Sequence, residues 1–156
     1  LPLSVRSTRF GEIEVREEDL LEFPEGLPGF PFHRRFFLVG EEGQPIRWLH
    51  SAEDGSLALP VADPFLILPT YEAEVCDEDL SPIGPFSPED LVLLCVLVIP
   101  SGDPLSMTAN LKAPIVINVK TRKGKQVLVS GDYPIRHPVF GPEARRALAE
   151  RTRGGS

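Results

Sequence analysis

Little in this sequence supplies ready-made chemistry. It has 2 cysteines, 1 methionine and 1 tryptophan in 156 residues. Cys76 and Cys95 are too few and too far apart for a zinc ligand set, and such sparse use suits a reducing compartment. Cys95 lies inside an apolar run and reads as a buried thiol, whereas nothing places Cys76. That run, "LVLLCVLVI" (91–99), is the longest and is roughly half of the ~18–20 residues needed to cross a bilayer. No basic segment followed by an apolar stretch and a cleavage site occurs, so a cytoplasmic protein without a membrane span is expected.

Catalytic signatures are missing as well. There is no G-x-S-x-G, P-loop, G-x-G-x-x-G or H-E-x-x-H pattern. The 3 histidines, His33, His50 and His137, have no metal-ligand spacing among themselves or with cysteine. His50, beside Trp48, is expected to be a hydrogen-bonded structural residue, and His137 in "PIRHP" to hold a proline-rich turn. The acid clusters "REEDL" (16–20) and "CDEDL" (76–80) read as solvated runs, because acid–base work needs one carboxyl raised by burial. Neither a cofactor nor an enzyme activity is expected. A small hydrolase would need one of the histidines beside a cleft carboxylate.

What the chain has is turn residues and short alternating segments. Its 17 prolines and 13 glycines are spread throughout, and proline keeps out of helix interiors and central strands. Strands are predicted at "RFGEIEV" (9–15), "RFFLV" (35–39), "IRWLHS" (46–51), "SLALPVA" (56–62), "YEAEV" (71–75), "LSMTANL" (105–111), "APIVINVKT" (113–121) and "KQVLVSG" (125–131). The expectation is a mainly β, single-domain antiparallel fold, either a sandwich or a small barrel-like roll, with one or two short helices. "SPEDL" (87–91) carries a helix-start signal, with Ser87 as cap and Pro88 in the first position. Val92, Val96, Val98 and the Pro100 stop then favour a strand over a continued helix. Residues 1–140 form the predicted β domain. Residues 141–156 form a helix-like extension ("GPEARRALAER", 141–151) and a flexible tail.

Charge is distributed unevenly. Residues 1–100 hold 6 basic and 19 acidic residues, a net of −13, and residues 101–156 hold 10 and 4, a net of +6, giving −7 overall. Lys120, Arg122, Lys123 and Lys125 cluster in "NVKTRKGKQVLV" (118–129), read as a β-hairpin turning at 122–124 with Gly124 supplying φ > 0. Its exposed tip could contact nucleic acid, but no aromatic sits among the cations for base stacking, and the remainder of the chain repels a polyanion. An acidic face suits a basic protein partner better. The candidate patch is Glu72, Glu74, Asp77, Glu78 and Asp79, with Phe65 and Tyr71 as apolar anchors.

Seven strings then point to a family. "FGEIEV" (10–15), "FPEGLPGF" (23–30), "IRWLHS" (46–51), "DPFLILPTYEAE" (63–74), "SPEDLVLL" (87–94), "APIVINVKTRKGKQ" (113–126) and "DYPIRHP" (132–138) closely resemble the bacterial flagellar assembly factor FliW family, in order and spacing, over roughly residues 5–140. The resemblance implies a small β-barrel-like protein without enzyme activity. It also implies a partner switch: binding to flagellin and, on release, to the RNA-binding translational regulator CsrA, whose repression of flagellin translation is thereby relieved. The implied partners are proteins, with no direct nucleic-acid or membrane contact; the alternative is a small RNA-binding β-domain acting through the basic hairpin 120–125. Thr70 stands where the family pattern leads one to expect an acid. In "FPEGLPGF", Gly26, Pro28 and Gly29 are expected to fix a turn, with Phe23 and Phe30 either in the core or exposed as anchors.

Overall fold

A computed structural model of the chain describes residues 2–147. The first hairpin joins β1 (Leu3–Ser7) to β2 (Gly11–Val15) and stands apart from the main sheet. The main sheet begins with β3 (Leu21–Glu22), β4 (Arg35–Val39), β5 (Arg47–Ser51) and β6 (Ala58–Ala62). One helical turn, α1 (Pro64–Ile67), follows, and then β7 (Leu91–Val98), β8 (Thr108–Ala109), β9 (Ile115–Asn118), β10 (Lys123–Gln126) and β11 (His137–Pro138).

Closure of this sheet rests on β7. One of its edges pairs with β6, and β9 pairs with it from Leu91↔Asn118 to Leu94↔Ile115. The strands β7, β6, β5, β4, β3, β10 and β9 therefore form a closed ring of seven. Each neighbouring pair is antiparallel except β3 and β10, which meet in parallel at Lys123↔Glu22. The expected antiparallel barrel is thus a mixed one. An odd number of strands cannot alternate in direction all the way round a ring, so one parallel junction is unavoidable. It falls where the pairing is shortest.

The ring encloses the main core. Phe36, Leu49, Val61, Leu94, Ile115 and Ile117 point inward from successive strands, with Leu21, Phe23 and Leu27 beside them. Burying each such side chain contributes about 1.5–3 kcal/mol relative to exposure. The outer face of β9 is covered too: Val116 packs with Leu80, Ile83 and Val127 beneath a 3₁₀ segment, Asp77–Ile83. Burial on both faces explains why "IVIN" is a continuous buried run rather than an alternating one. Outside β4, Val5 and Val15 of the first hairpin close over Phe37.

Several local expectations hold. "RFFLV" is β4, and the segment after the "SPED" turn is the strand β7. The Asp90 carboxylate accepts from the Ser87 N–H (3.0 Å), ending the 3₁₀ turn Pro88–Asp90 before the strand begins. Gly26 and Gly29 both have positive φ, and a Cβ at Gly26 would lie 2.6 Å from the Pro31 carbonyl oxygen. Phe23 is fully buried against Phe36, while Phe30 is exposed.

Others are corrected. "YEAEV" keeps its in–out alternation but is not a strand: its backbone has no ladder partner, and "LSMTANL" is a strand only at Thr108–Ala109. The predicted C-terminal helix begins, with residues 142–147 helical. Its remainder lies outside the described residues, as does the predicted tail.

Candidate protein-interaction surface

The acidic segment leaves the ring through α1. Asp63 caps that turn by accepting from the Phe65 N–H (2.8 Å), with Pro64 in the first helical position. Phe65 and Leu66 are left facing solvent at 43% and 69% exposure. Tyr71 is a correction to the predicted patch. It is buried, its hydroxyl donates to the Leu111 carbonyl (2.6 Å), and its ring packs edge-on against Tyr133 at 4.7 Å. Burial pushes its phenol up to about 12, with smaller contributions from Cys95 and Tyr133. Its ring and that of Phe65 meet in a T-shaped pair with centroids 5.8 Å apart. Tyr71 anchors the segment from beneath, and the exposed apolar pair is Phe65 with Leu66.

Beyond Tyr71 the backbone is held from one side. The Tyr133 hydroxyl accepts from the Glu72 N–H (3.0 Å), and the Ser130 N–H donates to the Glu74 carbonyl (2.9 Å). Leu80 and Ile83 fasten the following 3₁₀ segment to β9. Glu72, Glu74, Asp77, Glu78 and Asp79 all remain exposed, and none forms a salt bridge among the described residues. The result is a backbone fixed at both ends that carries five uncompensated carboxylates. Such an arrangement steers a cationic partner without first having to break internal pairs.

The basic hairpin differs from its predicted form. Its turn is 119–122, and Lys123, Gly124 and Lys125 belong to β10. Arg122 carries the left-handed backbone (φ 59), not Gly124. Gly124 is required for another reason: a Cβ there would meet the Phe23 ring at 2.6 Å. The tip is not a free cationic finger. The buried Asn118 amide donates to the Ile83 and Pro85 carbonyls, its Oδ1 accepts from the Lys120 N–H, and the Thr121 hydroxyl donates to Ile83. Lys120 faces Asp90 at 3.6 Å and Lys125 faces Glu25 at 3.2 Å. Of the four cations, only Lys120 is exposed; Arg122, Lys123 and Lys125 are half-buried.

The histidines take structural partners. His50 is fully buried between the Ser51 carbonyl and Ser7, His33 lies 3.4 Å from the Ser51 hydroxyl, and His137 lies 2.9 Å from the Pro138 carbonyl. Among the described residues none has a carboxylate hydrogen-bond partner, which a His–carboxylate hydrolase would require. Cys95 is buried, and desolvation raises its thiol to about 11; Cys76 is exposed.

One feature was not anticipated from the sequence. A cavity of about 650 Å³ opens at one end of the ring and extends under the first hairpin, lined by Arg47 and Arg122, by the carboxylates of Glu14, Asp19 and Glu42, and by apolar side chains from both sides of β4. The available signal was Arg47 in a strand at the same face as Leu49.

The FliW protein family profile matches residues 4–139. The chain belongs to the FliW family. A flagellar assembly factor FliW from Pseudothermotoga lettingae is 42% identical over 154 residues, spanning 97% of this chain and 99% of the relative. The Thermotoga maritima FliW is 45% identical over 135 residues, spanning 85% and 91%. A crystal structure of the flagellar assembly factor FliW superposes with a TM-score of 0.83 at 33% identity, covering 90% of this chain and 99% of that one. Val139, the last residue matched, and Phe140 after it pack on the cluster around Tyr71 and Leu97. This FliW-family chain has no helix among its described residues long and apolar enough to cross a membrane.

Proposed function

We propose that this flagellar assembly factor works as a non-enzymatic cytoplasmic adaptor, binding flagellin and, once released, binding and antagonising the RNA-binding regulator CsrA. Membership of the FliW family supports the flagellar role. The observation that carries the partner chemistry is the run Glu72, Glu74, Asp77, Glu78 and Asp79: exposed, without salt-bridge partners among the described residues, and close in the chain to the solvent-facing Phe65 and Leu66. An RNA-binding regulator must present basic surface, so an acidic ledge with an apolar anchor meets it by charge and excludes its RNA.

Direct RNA binding through the hairpin has less support. Lys120 and Lys125 are each already beside a carboxylate, and no aromatic ring is presented among the four cations.

Titrating the purified protein separately with CsrA and with flagellin tests the proposal. Complexes with both at micromolar concentrations are expected. No complex with either would overturn the adaptor role, and a salt-sensitive RNA gel shift lost on Lys120 and Arg122 substitution would favour the hairpin instead.

A further inference from the structure

The registers bring one end of every ring strand together at the cavity. Val39 ends β4 opposite Trp48 at the start of β5, Ala62 ends β6, Leu91 begins β7, and Asn118 ends β9 opposite Lys123 of β10. Arg47 pairs with Val61 and lies two residues before Leu49, so it occupies an inward position at this mouth. Arg122 reaches the same cavity from the hairpin turn. The walls between them are apolar: Leu38, Val92, Ile117 and Val119. Below, Phe36, Leu49 and Ile115 are fully buried and close the bore.

Both arginines are under-satisfied. The Nε atoms of Arg47 and Arg122 are buried without a hydrogen-bond partner, and neither side chain joins a salt bridge among the described residues. Each side chain as a whole is half-buried, but an Nε–H shut away from water and from any acceptor costs about 1–3 kcal/mol, and native structures seldom keep one without cause. Glu14, Asp19 and Glu42 line the same cavity but are exposed, and Asp19 is turned to Arg16 at 3.3 Å. The two half-buried arginines thus share the cavity with three more exposed carboxylates. That arrangement admits a single negative charge on an apolar stem and opposes a polyanion.

We propose that this mouth binds a lone carboxylate carried on an aliphatic stem, with Arg47 and Arg122 engaging it and the valine and isoleucine walls covering the stem. A guanidinium fork matches a carboxylate in two parallel bonds, and a few hundred Å³ of mostly apolar wall with a few convergent polar groups is the usual form of a small-ligand site. None of the seven residues of the predicted acidic patch lines this cavity. The proposal goes beyond the adaptor role. The carboxylate can come from a free aliphatic acid or from the end of an apolar peptide.

The test uses the intact protein and follows the arginine Nε–H resonances by NMR. Hexanoate is expected to shift both Arg47 and Arg122, and hexanamide at the same concentration to shift neither. An N-acetylated aliphatic tripeptide with a free carboxylate distinguishes the sources: tighter binding than hexanoate assigns a chain end, weaker binding a free acid, and either supports the site. Arg47→Met and Arg122→Met should each weaken hexanoate binding about tenfold or more, the loss of one charged hydrogen-bond set. Equal shifts with the amide, comparable binding of inorganic phosphate, or unchanged affinity in folded R47M and R122M would overturn it.

Discussion

His50 and Ser7, 43 residues apart in sequence, are joined inside the protein by a 2.8 Å contact between Nε2 and Oγ. The other ring nitrogen faces the Ser51 carbonyl at 2.7 Å. A carbonyl only accepts, so Nδ1 carries the proton and Nε2 accepts from the Ser7 hydroxyl in the neutral ring. Phe37 stacks on the imidazole at 5.0 Å. The hairpin shares no ladder with the ring, and this contact is one of its ties, beside the packing of Val5 and Val15 on Phe37 and the bond from the Thr8 N–H to the Gly55 carbonyl. Ser7→Ala leaves a buried imidazole nitrogen without its partner and should cost about 1–3 kcal/mol. Thermal melting measures the loss, and hydrogen exchange should show the hairpin amides opening before those of the ring; equal protection in both would mean that the contact is not among the ties.

Gly124 sets a second expectation. It lies against the ring of Phe23, which is itself fully buried. Gly124→Ala should destabilise by about 1–3 kcal/mol through overpacking, although alanine suits the strand backbone better than glycine. Combining it with Phe23→Leu tests the cause. The double variant should lose less than the sum of the single losses, and strict additivity would place the strain elsewhere.

Tyr71 predicts behaviour in alkali. Its folded-state phenol is raised to about 12 from an ordinary value of 10. The raised group stabilises the fold fully below pH 10, and that contribution disappears as pH climbs through about 12, because the unfolded chain ionises first. Tyr71→Phe should lower stability at neutral pH by about 1 kcal/mol, from the lost bond to Leu111. It should also flatten the fall in stability between pH 10 and 12. Denaturant midpoints taken across that range check the slope, and parallel curves for the two proteins would remove Tyr71 as its source.

The acidic run predicts kinetics without a change in stability. Its five carboxylates are exposed and lack salt-bridge partners among the described residues. Replacing Glu72, Glu74 and Asp77 with lysine should therefore move stability by less than about 0.5 kcal/mol per site. Association with CsrA should slow by about tenfold or more at low ionic strength, with the difference shrinking as salt is added. Stopped-flow mixing at two salt concentrations measures both, and rates indifferent to the reversal would move the contact surface off this ledge.

The sequence by itself determined the class of fold and much of its local form. Frequent proline and glycine, with short alternating runs, allow little besides short strands, and the "SPED" turn followed by β-branched residues marks where β7 begins. Those signals are local, set by backbone sterics and by period-two burial, and so they can be read in one dimension. The acidity of residues 72–79 and its exposure were legible for the same reason. Tertiary structure decided what pairs with what. Tyr71 reads as a surface anchor until Tyr133 and the Leu111 carbonyl, distant in sequence, are brought over it. Gly124 reads as a turn glycine until Phe23 is packed beneath it. The parallel junction of β3 with β10 follows from closing seven strands, and the presence of Arg47 and Arg122 on one cavity follows from that closure. Ring closure depends on contacts far apart in sequence, and no local pattern encodes which residues it will set face to face.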